Sequence, residues 1–152
     1  MLTMKTKYAL KALTYLANAE PGLVLIRDIA EHEGIPKKFL ELILRELRQH
    51  GLVESRKGRN GGYFLQRAPE EISLAAVIRI LDGPIAPLPC LSQTRYQKCD
   101  ECQDERTCGL RLALKDAHDA TLRALETTTL ADIVQRSREA LAGQAPPARY
   151  AI

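Results

Sequence analysis

The stretch Pro36–Gly51, PKKFLELILRELRQHG, constrains the chain more than any other. Its apolar residues Leu40, Ile43, Leu44 and Leu47 fall at i, i+3, i+4 and i+7, which is one face of an α-helix. Lys38, Glu41, Arg45 and Arg48 fall on the opposite face. Pro36 suits a first helical position, where a missing N–H is no loss, and Gly51 sits where a left-handed cap closes a helix. Immediately upstream, LVLIRDIAEHEG predicts a short helix around Arg27–Glu33, stopped by Gly34. Two short helices across a tight glycine turn, the second with a basic outer face, describe a helix-turn-helix.

The flanks extend that reading. In KTKYALKALTYLANA, Tyr8, Ala9, Ala12, Leu13 and Leu16 share one helical face, and Pro21-Gly22 ends the helix. After Gly51, LVESRKGRNGGYFLQR predicts strands at Leu52–Ser55 and Tyr63–Gln66, with Asn60-Gly61 as the turn signal. Arg56, Lys57 and Arg59 sit at the hairpin tip. A basic hairpin directly after a recognition helix is a wing, suited to phosphates or a minor groove. The start of the third helix can reach base edges in a major groove. Lys37 and Lys38 can donate to guanine, Phe39 can touch a thymine methyl, and Glu41 can accept from cytosine. Arg45 lies within reach of base or phosphate, and Lys5 and Lys7 are placed to hold phosphates.

Charge points to the same half of the molecule. Residues 1–67 carry 12 Lys+Arg against 7 Asp+Glu, whereas residues 68–152 carry 10 against 12. The whole basic excess therefore lies with the helix-turn-helix and wing. Aromatics are only 5% and Trp is absent, so the core must be aliphatic. No apolar run approaches the ~18 residues of a membrane span. MLTMKTKYAL has bases without a following apolar region and does not read as a signal peptide. The expected location is the cytoplasm, where thiols stay reduced.

In the second half, EISLAAVIRILDG predicts a helix from an N-cap at Ser73 to Asp82, closed by Gly83-Pro84. A proline-rich loop follows, and then a long helix from Cys108. On it Leu110, Leu114, Ala117, Thr121 and Ala124 step by 4, 3, 4, 3, the spacing of a helix pairing with its own copy. A dimer also suits a helix-turn-helix that reads two half-sites about 34 Å apart. A last helix over LADIVQRSREALAG ends at Gly143. The expected organisation is a winged helix-turn-helix domain over 1–83, a cysteine loop over 84–108, dimerisation helices over 109–143 and a flexible tail over 144–152.

All four cysteines lie in that loop, as Cys90-x8-Cys99-x2-Cys102-x5-Cys108. Four thiolates suit an iron–sulfur cluster. They also suit a structural zinc ion, although zinc sites more often show two close pairs. A dithiol switch at Cys99 and Cys102 is a third reading, opposed by the two carboxylates between them. His32 and His50 fall at helix ends, and His118 reads as exposed on the dimer helix. A small redox enzyme is the rival from another class. It finds no nucleotide-binding glycine motif and no Ser/His/Asp arrangement.

Together these pieces resemble the IscR/NsrR-type family of bacterial winged helix-turn-helix regulators, the Rrf family. The resemblance runs from Met1 to about Leu141. It is carried by KTKYALKALTYLA, IRDIAEHEGIPKKFLELILRELRQHGLVES, the wing GRNGGYFL and cysteines placed just before a long helix. It implies a homodimeric transcription factor, in expectation a repressor, bound to a pseudo-palindromic operator in double-stranded DNA. It further implies that a 2Fe-2S or 4Fe-4S cluster modulates DNA affinity, with zinc as the alternative metal. Family members with three cysteine ligands add a His after the last cysteine or an acid in the first helix. Here those positions hold Arg111 and Lys7, neither of them a ligand. Cys102-x5-Cys108 matches the family spacing, which leaves Cys99 as the additional thiol. The resemblance therefore implies ligation by Cys90, Cys99, Cys102 and Cys108.

Overall fold

The computed structural model describes residues 2–58 and 61–143. Its helices are α1 Met4–Asn18, α2 Ile26–Glu33, α3 Lys37–Gln49, α4 Leu74–Leu81, α5 Gly109–Thr127 and α6 Leu130–Leu141. Its strands are β1 Val53–Arg56 and β2 Gly62–Leu65. The fold is mainly α with one small hairpin, a winged helix-turn-helix followed by a long helix. Arg59, Asn60 and the tail 144–152, expected to be flexible, lie outside the described residues.

The core forms where α1, α2 and α3 meet and is aliphatic, as a Trp-free sequence requires. Leu13, Ile29, Leu40, Ile43, Leu44 and Leu47 are all but fully buried. α6 packs back on α1, and α4 lies between α1 and α5. Thr6 is also fully buried on α1, although it is polar. Its hydroxyl oxygen lies 3.3 Å from that of Thr3, the α1 N-cap, so burial leaves it partnered. Thr3 in turn donates its hydroxyl (2.6 Å) and its backbone N–H (3.2 Å) to Asp82 at the end of α4. Burial raises the Asp82 carboxyl, but hydrogen bonds from Thr3 and Thr6 and the Lys5 charge outweigh that and hold it below its ordinary 3.8. This latch between α1 and α4 is therefore present at neutral pH and is lost as pH falls through that depressed value.

Both strands lie one residue from their expected positions, and the cap of α3 explains where β1 starts. Gly51 takes φ 70 and its N–H donates to the Arg48 carbonyl, while the Leu52 N–H donates to the Leu47 carbonyl (both 3.0 Å). Those two bonds are a Schellman cap. It claims the Leu52 N–H, so β1 starts at Val53. Pro36 likewise stands just before α3 rather than as its first residue, with its carbonyl accepting from Phe39 and Leu40. The hairpin pairs Val53 with Leu65 and Arg56 with Gly62. Val24 adds an edge to it, exchanging backbone bonds of 2.9 and 2.8 Å with Tyr63.

One expectation for the second half needs revision. His118 is buried rather than exposed, facing inward with Leu122. The heptad reading could not see this, because which side of α5 faces inward depends on where α4 lies. An Arg79–Glu126 ion pair of 2.6 Å fixes that docking. Tyr8, on the apolar face of α1, is half-buried and packs against the core.

Gly62 provides a stability test. A β-carbon there would sit 2.7 Å from the Val24 carbonyl oxygen, a backbone atom that cannot swing aside. Gly62→Ala should lower stability by about 1–3 kcal/mol, read as a fall in denaturant midpoint at unchanged slope. Gly109→Ala, where the added carbon meets nothing within 4 Å, should leave the midpoint unchanged or higher.

Candidate nucleic-acid interface and cysteine loop

The turn between α2 and α3 is built by Gly34 in the left-handed region (φ 65) and by Ile35, whose N–H donates to the Ala30 carbonyl at 2.9 Å. Ile35 is buried and anchors the turn. With the leucine face of α3 against the core, Lys37, Lys38, Glu41, Arg45 and Arg48 are left exposed. Phe39 is half-buried and meets Tyr8 edge-on, with ring centroids 5.9 Å apart. Lys37 and Lys38 occupy the first turn of α3, which contains no acid. Cations at a helix N-terminus oppose the dipole by roughly 0.3–1 kcal/mol each. The positive end of α3 is thus made more positive, an arrangement that a polyanion would relieve.

The wing and α3 are bolted together. Arg48 Nη1 donates to the Ser55 hydroxyl on β1 at 2.9 Å. A cleft of about 320 Å³ lies between them, lined by Ile26, Glu41, Arg45, Arg48 and Tyr63. Arg56 and Lys57 are exposed at the wing. The Arg56 guanidinium lies 5.9 Å from the Phe64 ring centroid, within cation–π range. Gly61 closes the tip by donating to the Gly58 carbonyl at 3.0 Å. Lys5 and Lys7 separate in character. Lys5 is paired with Glu46 of α3 at 2.7 Å, whereas Lys7 is exposed. The Arg48–Ser55 bond had no sequence signal beyond a serine in a strand.

The cysteine loop carries all four thiols between Pro89 and the start of α5. Cys90 is buried in a single 3-10 turn, Pro89–Leu91. Cys99 and Cys102 flank a tight turn in which the Cys102 N–H donates to the Cys99 carbonyl at 3.1 Å. Cys108 is the N-cap of α5. All four are free thiols. Desolvation pushes the Cys99 thiol up, as do a hydrogen bond with the Cys90 thiol and the nearby charges of Cys90, Cys102 and Glu101. Cys102 is raised first by desolvation and then by Cys108, Glu105 and Cys90, with Lys98 opposing. Each thiol thus lies in the field of at least one other. Among the described residues, no three His, Cys, Asp or Glu side chains form a closed metal-holding group. The donor set still fits an iron–sulfur centre chemically: four sulfurs, no competing disulfide and a polar loop around them. Tyr96, Glu105 and Arg111, which the pattern of cysteines did not single out as partners, complete the surroundings. The Tyr96 hydroxyl donates to Glu105, and Arg111 Nε is buried with no hydrogen-bond partner among the described residues.

On α5, Leu110, Ala117, Thr121 and Ala124 are exposed and Leu114 is half-buried. Leu114, Ala117 and Thr121 line a groove of about 630 Å³ closed on its other side by Ile78, Pro84, Ile85 and Pro87. Among the described residues, no helix is long and apolar enough to cross a membrane.

Comparison with known proteins agrees with this geometry. The rrf2-like HTH-type transcriptional regulator of Rhodobacter capsulatus is 46% identical over 138 residues, spanning 88% of this chain and 92% of that one. CymR, the global cysteine regulator of B. subtilis, superposes with a TM-score of 0.75 at 28% identity, covering 89% of this chain and 96% of its own. T. potens IscR gives 0.71 at 28% identity, covering 92% and 90%. The family model Rrf2, iron-dependent transcriptional regulator, matches residues 2–136. The chain therefore belongs to the Rrf2 family: it is a DNA-binding transcriptional regulator and not an enzyme.

Proposed function

We propose that this regulator is a homodimeric repressor whose grip on a pseudo-palindromic DNA site is set by an iron–sulfur cluster held by Cys90, Cys99, Cys102 and Cys108. The observation that carries this reading is that all four cysteines are free thiols within one loop whose last member, Cys108, is the N-cap of α5. The likeness to T. potens IscR supports it. When bound, the cluster would supply a centre sensitive to iron supply, oxygen or nitric oxide. The likeness to CymR favours a second reading, a regulator of this fold that works without a cluster, with zinc or thiol chemistry in its place.

The chain's own residues divide the work. Lys37, Lys38, Glu41 and Arg45 face the major groove from α3, and Arg56 and Lys57, with Arg59, Asn60 and Gly61 at the tip, touch the backbone or minor groove from the wing. Phe39 offers only the face it does not give to Tyr8. Lys7 holds phosphate, while Lys5 is already neutralised by Glu46. Leu110, Leu114, Ala117, Thr121 and Ala124 seat the partner's α5, and the apolar groove beside three of them supports that assignment. A change in the loop reaches α3 through packed neighbours: Cys108 begins α5, α5 docks on α4, α4 on α1 and α1 on α3. A coupling of about 1–3 kcal/mol along this path changes DNA affinity about 5–150-fold.

Two experiments test the parts separately. The logarithm of duplex affinity should fall linearly with the logarithm of salt concentration. Lys7→Ala should make that slope shallower by about 1, the share of one neutralised phosphate. Lys5→Ala should leave the slope at the parent value. Lys37→Ala and Lys38→Ala should each cost about 1–3 kcal/mol and relax the base preference at one position, and an unchanged preference in both would remove α3 from base reading. In the loop, parent protein purified without oxygen should contain iron and acid-labile sulfide, and Cys99→Ser should contain less of both. Parent protein with zinc and no sulfide would favour the second reading, and full iron and sulfide in Cys99→Ser would remove Cys99 from the ligand set.

A further inference from the structure

The N-terminal turn of α5 gathers positive character without an anion to meet it. α5 is 19 residues long, its N-cap Cys108 makes no side-chain capping bond, and its first turn contains no acid. The free N–H groups and the dipole therefore present positive charge beside Cys108. Arg111 adds a full positive charge in that same turn, three residues on from Cys108 and so on the same side of the helix. Its Nε is buried and donates to nothing among the described residues. Arg111 as a whole is half-buried, but its Nε–H, shut off from water without an acceptor, carries a free-energy cost that a sulfur acceptor would relieve. Glu105, a nearby carboxylate, already accepts from the Tyr96 hydroxyl. A spacing of three residues from Cys108 places Arg111 on the side of α5 that continues from the last thiol.

We propose that Arg111 is a positioning residue for the cluster, its buried Nε–H donating to a cluster or thiolate sulfur and its charge favouring the reduced form. This rests on the cluster reading above. An iron–sulfur centre held by four thiolates is anionic when oxidised and gains a further negative charge on taking up an electron. Net charge and hydrogen bonds to sulfur are what set its reduction potential. A cation fixed beside the sulfurs stabilises the more negative, reduced state, so its removal lowers the potential. The same residue explains how this chain does without a histidine after its last cysteine. The position serves the cluster by charge and hydrogen bonding, and Cys99 supplies the ligand.

The test uses full-length protein purified anaerobically, with iron and sulfide analysis and a mediator titration followed by visible absorption, the mediators supplying the electron. Arg111→Gln and Arg111→Met should keep the parent's circular dichroism and bind the cluster. Their reduction equilibrium should fall at least tenfold, a downward shift of about 59 mV for a one-electron couple. Arg111→Lys should recover part of the shift by restoring the charge. A folded Gln or Met variant that loads no cluster supports the proposal if Arg111→Lys restores loading and overturns it if Arg111→Lys does not. Loaded variants with the parent's potential also overturn it, while leaving the cluster reading intact. A parent protein without iron and sulfide overturns the cluster reading itself, and this proposal with it.

Discussion

Leu40, Ile43, Leu44 and Leu47 are at most 1% exposed, and their burial against the rest of the core fixes how α3 is rolled about its own axis. Everything that α3 presents outward follows from that one packing event. At roughly 1.5–3 kcal/mol for each fully buried leucine or isoleucine, the four side chains outweigh the modest dipole penalty of Lys37 and Lys38 in the first turn. The helix can therefore carry cations where its own electrostatics disfavour them. Those cations are left facing away from the core beside a wing held to α3 by Arg48 and Ser55.

The second constraint is that the loop and the long helix share a residue. Cys108 is the last thiol of the loop and the N-cap of α5. A change in what the sulfurs hold is thus a change at the end of a helix, and helices transmit displacements as rigid bodies. The α4–α5 ion pair, the Thr3–Asp82 latch and the Lys5–Glu46 pair form consecutive polar links from α5 to α3. Lys5 has a structural use here: it ties α1 to α3 through Glu46.

The sequence made the periodic features legible. The α3 face, the glycine stop at Gly34, the Ser73 cap and the long helix after Cys108 are all local patterns, and each formed where expected. What stayed hidden depends on partners distant in the chain. Lys5 and Glu46 are 41 positions apart, so nothing around Lys5 announces its pairing. Thr6 breaks the apolar pattern yet is buried, because Thr3 serves both as the cap and as its neighbour. His118 turned inward because α4 selects the side of α5 it packs on. β1 starts one residue later than expected because the α3 cap takes the Leu52 N–H. In the loop, spacing alone left iron–sulfur, zinc and redox readings open. The likenesses to IscR and to CymR leave the choice to metal and sulfide analysis.

The account stands on coupling between the thiols and the DNA-reading face. It is tested most directly by titrating one operator-derived duplex, at one salt concentration and without oxygen, with cluster-loaded protein and with the same preparation after the cluster is stripped. The account predicts dissociation constants that differ by about 5–150-fold. Equal constants for two folded preparations, one of them shown to hold iron and sulfide, would contradict it.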